Sequence, residues 1–368
     1  MTARIIFLAT AALVLATGAY AGEPVIAYGG ARSHVKARHL MPVMKTGEGY
    51  GQKYTFNADF EGRGDFYYSL TIFNLGVGDH KMQAKFTLNL DGQKFRWKKE
   101  LSKKKWSYSK DKLLITAGPS TLSGTPKALV LKGSKGDQAY EFTFTPIAQP
   151  WRPQNGQIQF GDKKKITDYT IFPLMQVEGR AKVSGGEWQT LSGLGYASTS
   201  WSELGVQDQA KWVAEFRGIS GRNTVYLREM KTTSEYGSKR LAYLLVTREK
   251  EILVEAFNDD YEFLVDPKDI MTDNEHANRY RVPETFSLRG KDHSLPDQQF
   301  RGAFKKKKLR KRRDLLSGVS AASRFVAERF SKPVRYEYTS GFTIEVKTKD
   351  GVVRIEGEGN YDLTHFNK

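Results

Sequence analysis

Apolar and polar residues alternate with a period of two through most of the chain, the pattern of strands that bury one face. Ala84, Phe86, Leu88 and Leu90 alternate with Lys85, Thr87 and Asn89, and Phe95 and Trp97 resume the alternation after Asp91-Gly92. That dipeptide suits a tight hairpin because both positions tolerate positive φ. The same period predicts strands at Tyr54 to Phe60, Phe66 to Phe73, Ala128 to Lys132 and Tyr140 to Phe144. It returns at Val177 to Val183, Trp188 to Leu191, Trp212 to Phe216, Val225 to Leu227, Leu241 to Val246, Ile252 to Phe257 and Tyr261 to Val265. A hairpin of Phe342 to Lys347 and Val352 to Ile355 across Asp350-Gly351 closes the chain. Strands this numerous and evenly spaced predict an all-β protein of sandwich or barrel type.

A single stretch changes period. Leu315, Leu316, Val319, Ala322, Val326 and Phe330 recur at three- and four-residue steps, which predicts one amphipathic helix over 314–331. Asp314 is placed to cap it and Pro333 to stop it. The Pro-bearing stretch with Pro146, Pro150 and Pro153 reads as a loop, so a domain boundary is expected near Gly161 to Asp168. This divides the chain into a flexible arm at 22–39, a first barrel at 40–160, and a second at 167–368 that carries the helix and the closing hairpin.

The N-terminus adds an address. Arg4, the apolar run from Ile5 to Ala16 and Ala19-Tyr20-Ala21 fit a cleaved export signal over residues 1–21, which predicts a periplasmic or secreted protein. The chain has no cysteine, which excludes disulfides, thiolate metal sites and a cysteine nucleophile. A net charge of +17 is concentrated in Lys305 to Arg313, where only Leu309 interrupts the basic residues. For an exported chain Lys305, Lys306, Lys307, Lys308, Arg310, Lys311, Arg312 and Arg313 point to an anionic lipid surface rather than nucleic acid. The alternative is a solvated loop running up to the helix.

The stretch from Tyr169 to Trp201, YTIFPLMQVEGRAKVSGGEWQTLSGLGYASTSW, is the most specific in the chain. It resembles the opening of the second barrel in the tandem lipocalin-like family of carotenoid 1,2-hydratases and AttH-type proteins. The resemblance extends more weakly over the rest, including Gly357-Glu358-Gly359-Asn360-Tyr361. It implies two antiparallel lipocalin-like barrels in tandem that bind an apolar or amphipathic molecule. It also implies an Asp-His pair for proton transfer between the aromatic and the Trp. Here Ser198 and Thr199 stand in those places, and neither hydroxyl titrates near neutral pH.

No other motif supplies chemistry. His34, His39, His80, His276, His293 and His365 form no metal-ligand spacing, the glycine-rich stretches lack a phosphate-loop pattern, and no G-x-S-x-G elbow occurs. No cofactor, metal or catalytic residue is assigned. The abundant aromatics suit a pocket wall, and Tyr196, Ser198, Thr199, Trp201, Trp188 and Trp212 are the candidate ligand-binding residues. The expected function is an exported carrier of a lipid-like or isoprenoid-like ligand. The alternative is an isomerase, hydratase or cyclase type of enzyme acting on an apolar substrate in the barrel pocket.

Overall fold

A computed structural model describes residues 22–28, 34–74, 76–183, 185–275, 279–317 and 332–366. Two large antiparallel sheets, each nearly closed, account for most of them. The first takes β1 (Val25–Ala27), β2 (Gly51–Asp59), β3 (Gly64–Phe73), β4 (Lys81–Leu90), β5 (Gln93–Leu101), β6 (Trp106–Tyr108), β7 (Leu113–Ala117), β8 (Ser120–Thr125), β9 (Ala128–Lys135), β10 (Gln138–Pro146), β11 (Gln157–Phe160), β12 (Lys165–Lys182) and β13 (Gln189–Ser202). The second takes β14 (Ala210–Ser220), β15 (Asn223–Thr232), β16 (Arg240–Arg248), β17 (Glu251–Phe257) and β18 (Tyr261–Leu264), with β19 (Ile270–Thr272) and β20 (Arg281–Pro283) forming a small separate ribbon. It is completed by β21 (Thr285–Lys291), β22 (Gln299–Asp314), β23 (Val334–Thr348) and β24 (Gly351–His365).

The alternation seen in the sequence is the alternation seen in space. Met82, Ala84, Phe86, Leu88 and Leu90 all point into the first barrel and are buried, while their neighbours in β4 are only half-buried. Asp91 and Gly92 both take positive φ at the β4–β5 turn, as expected. The first barrel fills itself with rings: Phe66 lies 4.9 Å from Phe142, and Phe86 lies 4.5 Å from Phe95 and 4.9 Å from Tyr140. Where β13 crosses β2 there is no room for a side chain, since a Cβ on Gly193 would sit 1.9 Å from the Asp59 carbonyl oxygen.

Three sequence expectations are corrected. β12 pairs with β10 and β13 pairs with β2, so both belong to the first sheet. The boundary therefore falls between Ser202 and Ala210, and the Pro-bearing stretch folds back on the first barrel, where Trp151 bridges Ile171. The arm at 22–39 is anchored: β1 pairs with β11, and Tyr28 is buried edge-on against Tyr243 at 5.5 Å. The basic run is not a loop but the second half of β22, hydrogen-bonded to β23. Asp314 ends that strand and its carboxylate accepts the Leu316 amide in a turn. Residues 318–331 of the expected helix lie outside the described residues.

The barrels meet along a seam that is apolar at its centre and ionic around it. Trp151, Ile158, Phe160 and Ile171 pack against Tyr226, Met230, Tyr243 and Phe257. Beside them Arg152 and Asp168 form a buried ion pair at 2.7 Å, and the Gln157 amide donates to the same carboxylate oxygen at 3.1 Å. Burial pushes the Asp168 carboxyl up, and Arg152 opposes that rise. Loss of one partner from such a pair leaves a charge in a dry site, at a cost of about 3–5 kcal/mol. Asp168→Ala is therefore expected to lower unfolding free energy by that amount in urea, whereas Arg152→Met with Asp168→Leu recovers most of it. Equal losses for the single and double variants would show that the pair does not govern this part of the seam.

Candidate functional site

The residues singled out from the sequence do not share one cavity. Tyr196 and Ser198 lie on the outer face of β13, while Thr199 and Trp201 lie on the inner face, Thr199 buried and Trp201 packed against the first core. Trp188 is 41 % exposed with the Arg180 guanidinium 4.4 Å from its ring. Tyr196 is part of the seam, where its hydroxyl accepts from Arg217, whose guanidinium lies 4.6 Å above the ring. Glu215 accepts from both Arg217 and Tyr226. Burial alone would raise the Glu215 carboxyl, but Arg217, Arg228 and these hydrogen bonds hold it down at about 2. The cluster lies at the join of the barrels, where the Arg217–Tyr196 bond crosses from one to the other.

Trp212 leads to a different place. The strand register of the second barrel stacks its inward residues in layers across β15, β14 and β24. Leu227, Phe216 and Tyr361 form a floor; Glu229, Ala214 and Leu363 form the next layer; Lys231, Trp212 and His365 form a rim. Below the floor the barrel is packed with rings, Phe286 stacking on Phe304 at 4.5 Å and Phe304 meeting Phe216 at 4.8 Å. Above it the small Ala214 leaves space. The result is a cavity of about 520 Å³ walled by Trp212, Phe263, Val265, Tyr361 and Leu363, a size that holds a small molecule.

A carboxyl and an imidazole line this cavity, beside Lys231, Arg240, Arg281 and Tyr361. Glu229 is buried on β15, where its carboxylate accepts from Arg240 Nη2 at 2.7 Å and Nε at 3.2 Å. Burial raises its pKa, and the Arg240 guanidinium works against the rise. Arg240 is itself fixed, donating to the Tyr261 carbonyl at 3.1 Å and lying 4.6 Å from the Tyr261 ring. His365 sits flat on Tyr280 with ring centroids 4.5 Å apart. Its Nε2 is 3.1 Å from the Arg281 carbonyl oxygen. A carbonyl can only accept, so Nε2 carries the hydrogen and Nδ1 keeps the lone pair. Burial lowers the imidazole to about 4, so the ring is neutral at physiological pH. From strand spacing and rise, the Cα atoms of Glu229 and His365 are about 12 Å apart, a separation that a substrate's reactive end can bridge. Among the described residues no cluster of His, Asp and Glu suits a metal ion.

The fold is that of known tandem lipocalin-like proteins. An AttH-type protein from Nitrosomonas europaea matches with a TM-score of 0.58 at 14 % identity, over 93 % of this chain and 98 % of that one. CghA, in a structure with Sch210972, matches with 0.58 at 9 % identity over 94 % of each chain. Kievitone hydratase from Nectria haematococca matches with 0.53 at 13 % identity, over 94 % of this chain and 98 % of that one. No family model matches the sequence, and no curated protein does. The expectation of a carrier is corrected here: kievitone hydratase, by its name an enzyme, shares this fold, so the fold does not mark a carrier. The carrier expectation rested on the loss of an acid and an imidazole at 198 and 199, yet this chain places both in the second barrel. They were not visible as a pair, because Glu229 and His365 are far apart in sequence and reach one cavity only through their common neighbour β14.

His365 gives the site a signature in pH. Its folded pKa is depressed below 6.5, so the stabilisation is fully present above 6.5 and is lost as pH falls towards 4. Wild type is expected to lose up to about 1.4 kcal/mol per pH unit more than His365→Phe across that window. Urea unfolding at half-unit intervals measures the difference, and parallel curves would show that the imidazole is not held neutral.

Proposed function

We propose that the protein is an enzyme of the hydratase or isomerase type that acts on an apolar substrate by proton transfer in the second-barrel cavity. The observation that carries this reading is a carboxyl and a neutral imidazole lining one aromatic-walled space. Trp212, Phe263 and Leu363 hold the hydrocarbon part of the substrate and keep water from it, which strengthens every polar interaction inside. In a hydration, one alkene carbon gains a proton from an acid, the other gains the oxygen of water, and the second proton of that water passes to a base. In an isomerisation the proton leaves one carbon and returns at another. Either course needs one group that gives and one that takes. Glu229 exchanges the proton with carbon, and His365 Nδ1 orients or accepts from the oxygen. Lys231, Arg240 and Arg281 surround the site with positive charge and stabilise an oxygen that becomes negative in the transition state. Tyr196, Ser198, Thr199, Trp188 and Trp201 have no direct part in this step.

A panel of polyenes and α,β-unsaturated ketones, incubated with the protein and followed by chromatography and deuterium uptake from D₂O, tests the reading. Conversion is expected for at least one class, with Glu229→Gln lowering kcat about 100-fold or more and leaving KM within a few-fold. Ala214→Leu fills the cavity and is expected to abolish turnover while the protein stays folded. Turnover unaffected by both variants would place the chemistry elsewhere, and substrates bound tightly but recovered without deuterium would overturn the enzyme reading.

A further inference from the structure

The basic run of β22 has an architecture that its sequence conceals. In a regular strand its side chains would alternate between the two faces of the sheet. Here β22 carries two register shifts against β23, one between Lys306 and Lys308 and one between Leu309 and Lys311. Each bulge adds one residue that opposes no partner, and it resets which residue faces outward. The pairing makes the outcome explicit. Lys306, Leu309 and Arg312 oppose the inward-facing Ser340, Tyr338 and Tyr336. Lys305, Lys308, Lys311 and Arg313 oppose Gly341, Thr339, Glu337 and Arg335 on the outer face.

The two bulge residues also reach outward. Lys307 Nζ donates to Glu358 Oε1 at 2.6 Å, and Arg310 donates to Asn360. Glu358 and Asn360 are the β24 partners of Gly341 and Thr339, which places them on that same outer face. Six cations of one strand thus share a face about 20 Å long. Three of them, Lys305, Lys308 and Lys311, are exposed and have no acidic partner among the described residues. Across from the end of this row, Arg313 and Arg96 add repulsion to the burial that lowers the Lys85 ammonium, so the positive field continues onto the first barrel.

The inward members of the run do different work. Lys306 pairs with Glu284 and lies 5.2 Å from the Tyr338 ring, and Arg312 bonds Asp273 at 3.2 Å. The bulges sort the run into cations spent on the barrel and cations left in water. The row also ends at the cavity rim, since Asp314 pairs with Val334, Val334 with His365, and His365 with Trp212.

We infer that the outer face of β22 is a docking surface for an anionic lipid bilayer. A bilayer offers negative headgroups to the three unpaired lysines, and it dissolves the kind of molecule the adjoining cavity fits. This holds whichever reaction the cavity performs.

Sedimentation with vesicles of about 30 % anionic phospholipid at low salt tests the surface. The protein is expected to pellet with them, and to be released as salt rises to about 0.5 M. Lys305→Gln, Lys308→Gln and Lys311→Gln together should weaken binding about 100-fold. As a control of equal charge, Lys103→Gln, Lys104→Gln and Lys105→Gln remove three exposed lysines from the turn after β5 and should leave binding within a few-fold. Equal loss in both triple variants would reduce the effect to net charge and overturn the assignment. So would equal binding to neutral vesicles, or binding to soluble polyphosphate without any affinity for vesicles. The circular dichroism of all variants is expected to match that of the wild type, which keeps unfolding out of the comparison.

Discussion

Glu215 is taken out of water between Arg217 and Arg228 in the seam, and the desolvation of that carboxylate is offset only because two guanidiniums and the Tyr226 hydroxyl meet it there. This pairing constrains more than the join between the barrels. β15 is buried over nearly its whole length, because one of its faces looks into the second barrel and the other into the seam. Arg228 bonds the Tyr169 hydroxyl of the first barrel at 2.8 Å, and the very next residue, Glu229, faces the cavity. Fixing the strand from outside fixes the carboxylate inside. A cysteine-free chain has no disulfide to hold two barrels in register, and this buried ionic seam supplies a non-covalent tie.

The strands were legible from the sequence because one-sided burial imposes a period of two, as in β4 and β24. The grouping of those strands was less so. Nothing local distinguishes β12 and β13 as the last members of the first sheet rather than the first members of the second, since the strand that closes β13 onto that sheet, β2, lies more than a hundred residues earlier. The basic half of β22 hid its strand character because charge replaced alternation, and bulges then broke what period remained. The cavity was legible only through Trp212. Glu229 gives no signal in isolation, and its meaning comes from Arg240 on the next strand; His365 depends in the same way on Tyr280 and the Arg281 carbonyl.

The serine and threonine at 198 and 199 illustrate a limit on reading chemistry from the absence of a motif. Their side chains fall on opposite faces of β13, one toward the seam and one toward a core filled with rings, so no common space serves both. The second barrel, by contrast, is packed at one end and open at the other. A layered interior lets a single small residue, Ala214, decide where packing stops, and the polar groups above that layer then meet whatever enters.

The bulges of β22 also bear on how this strand tolerates changes in length. A residue that opposes no partner can be removed without unpairing anything. Deletion of Lys307 would straighten the ladder while Lys306 and Lys308 kept their partners Ser340 and Thr339. The strand would stay aligned from Gln299 to Asp314 and lose only a cation. An insertion at the same point would widen the bulge rather than turn the strand over. The ladder is therefore indifferent to the number of residues at these two points, and the length of the basic segment is free to vary.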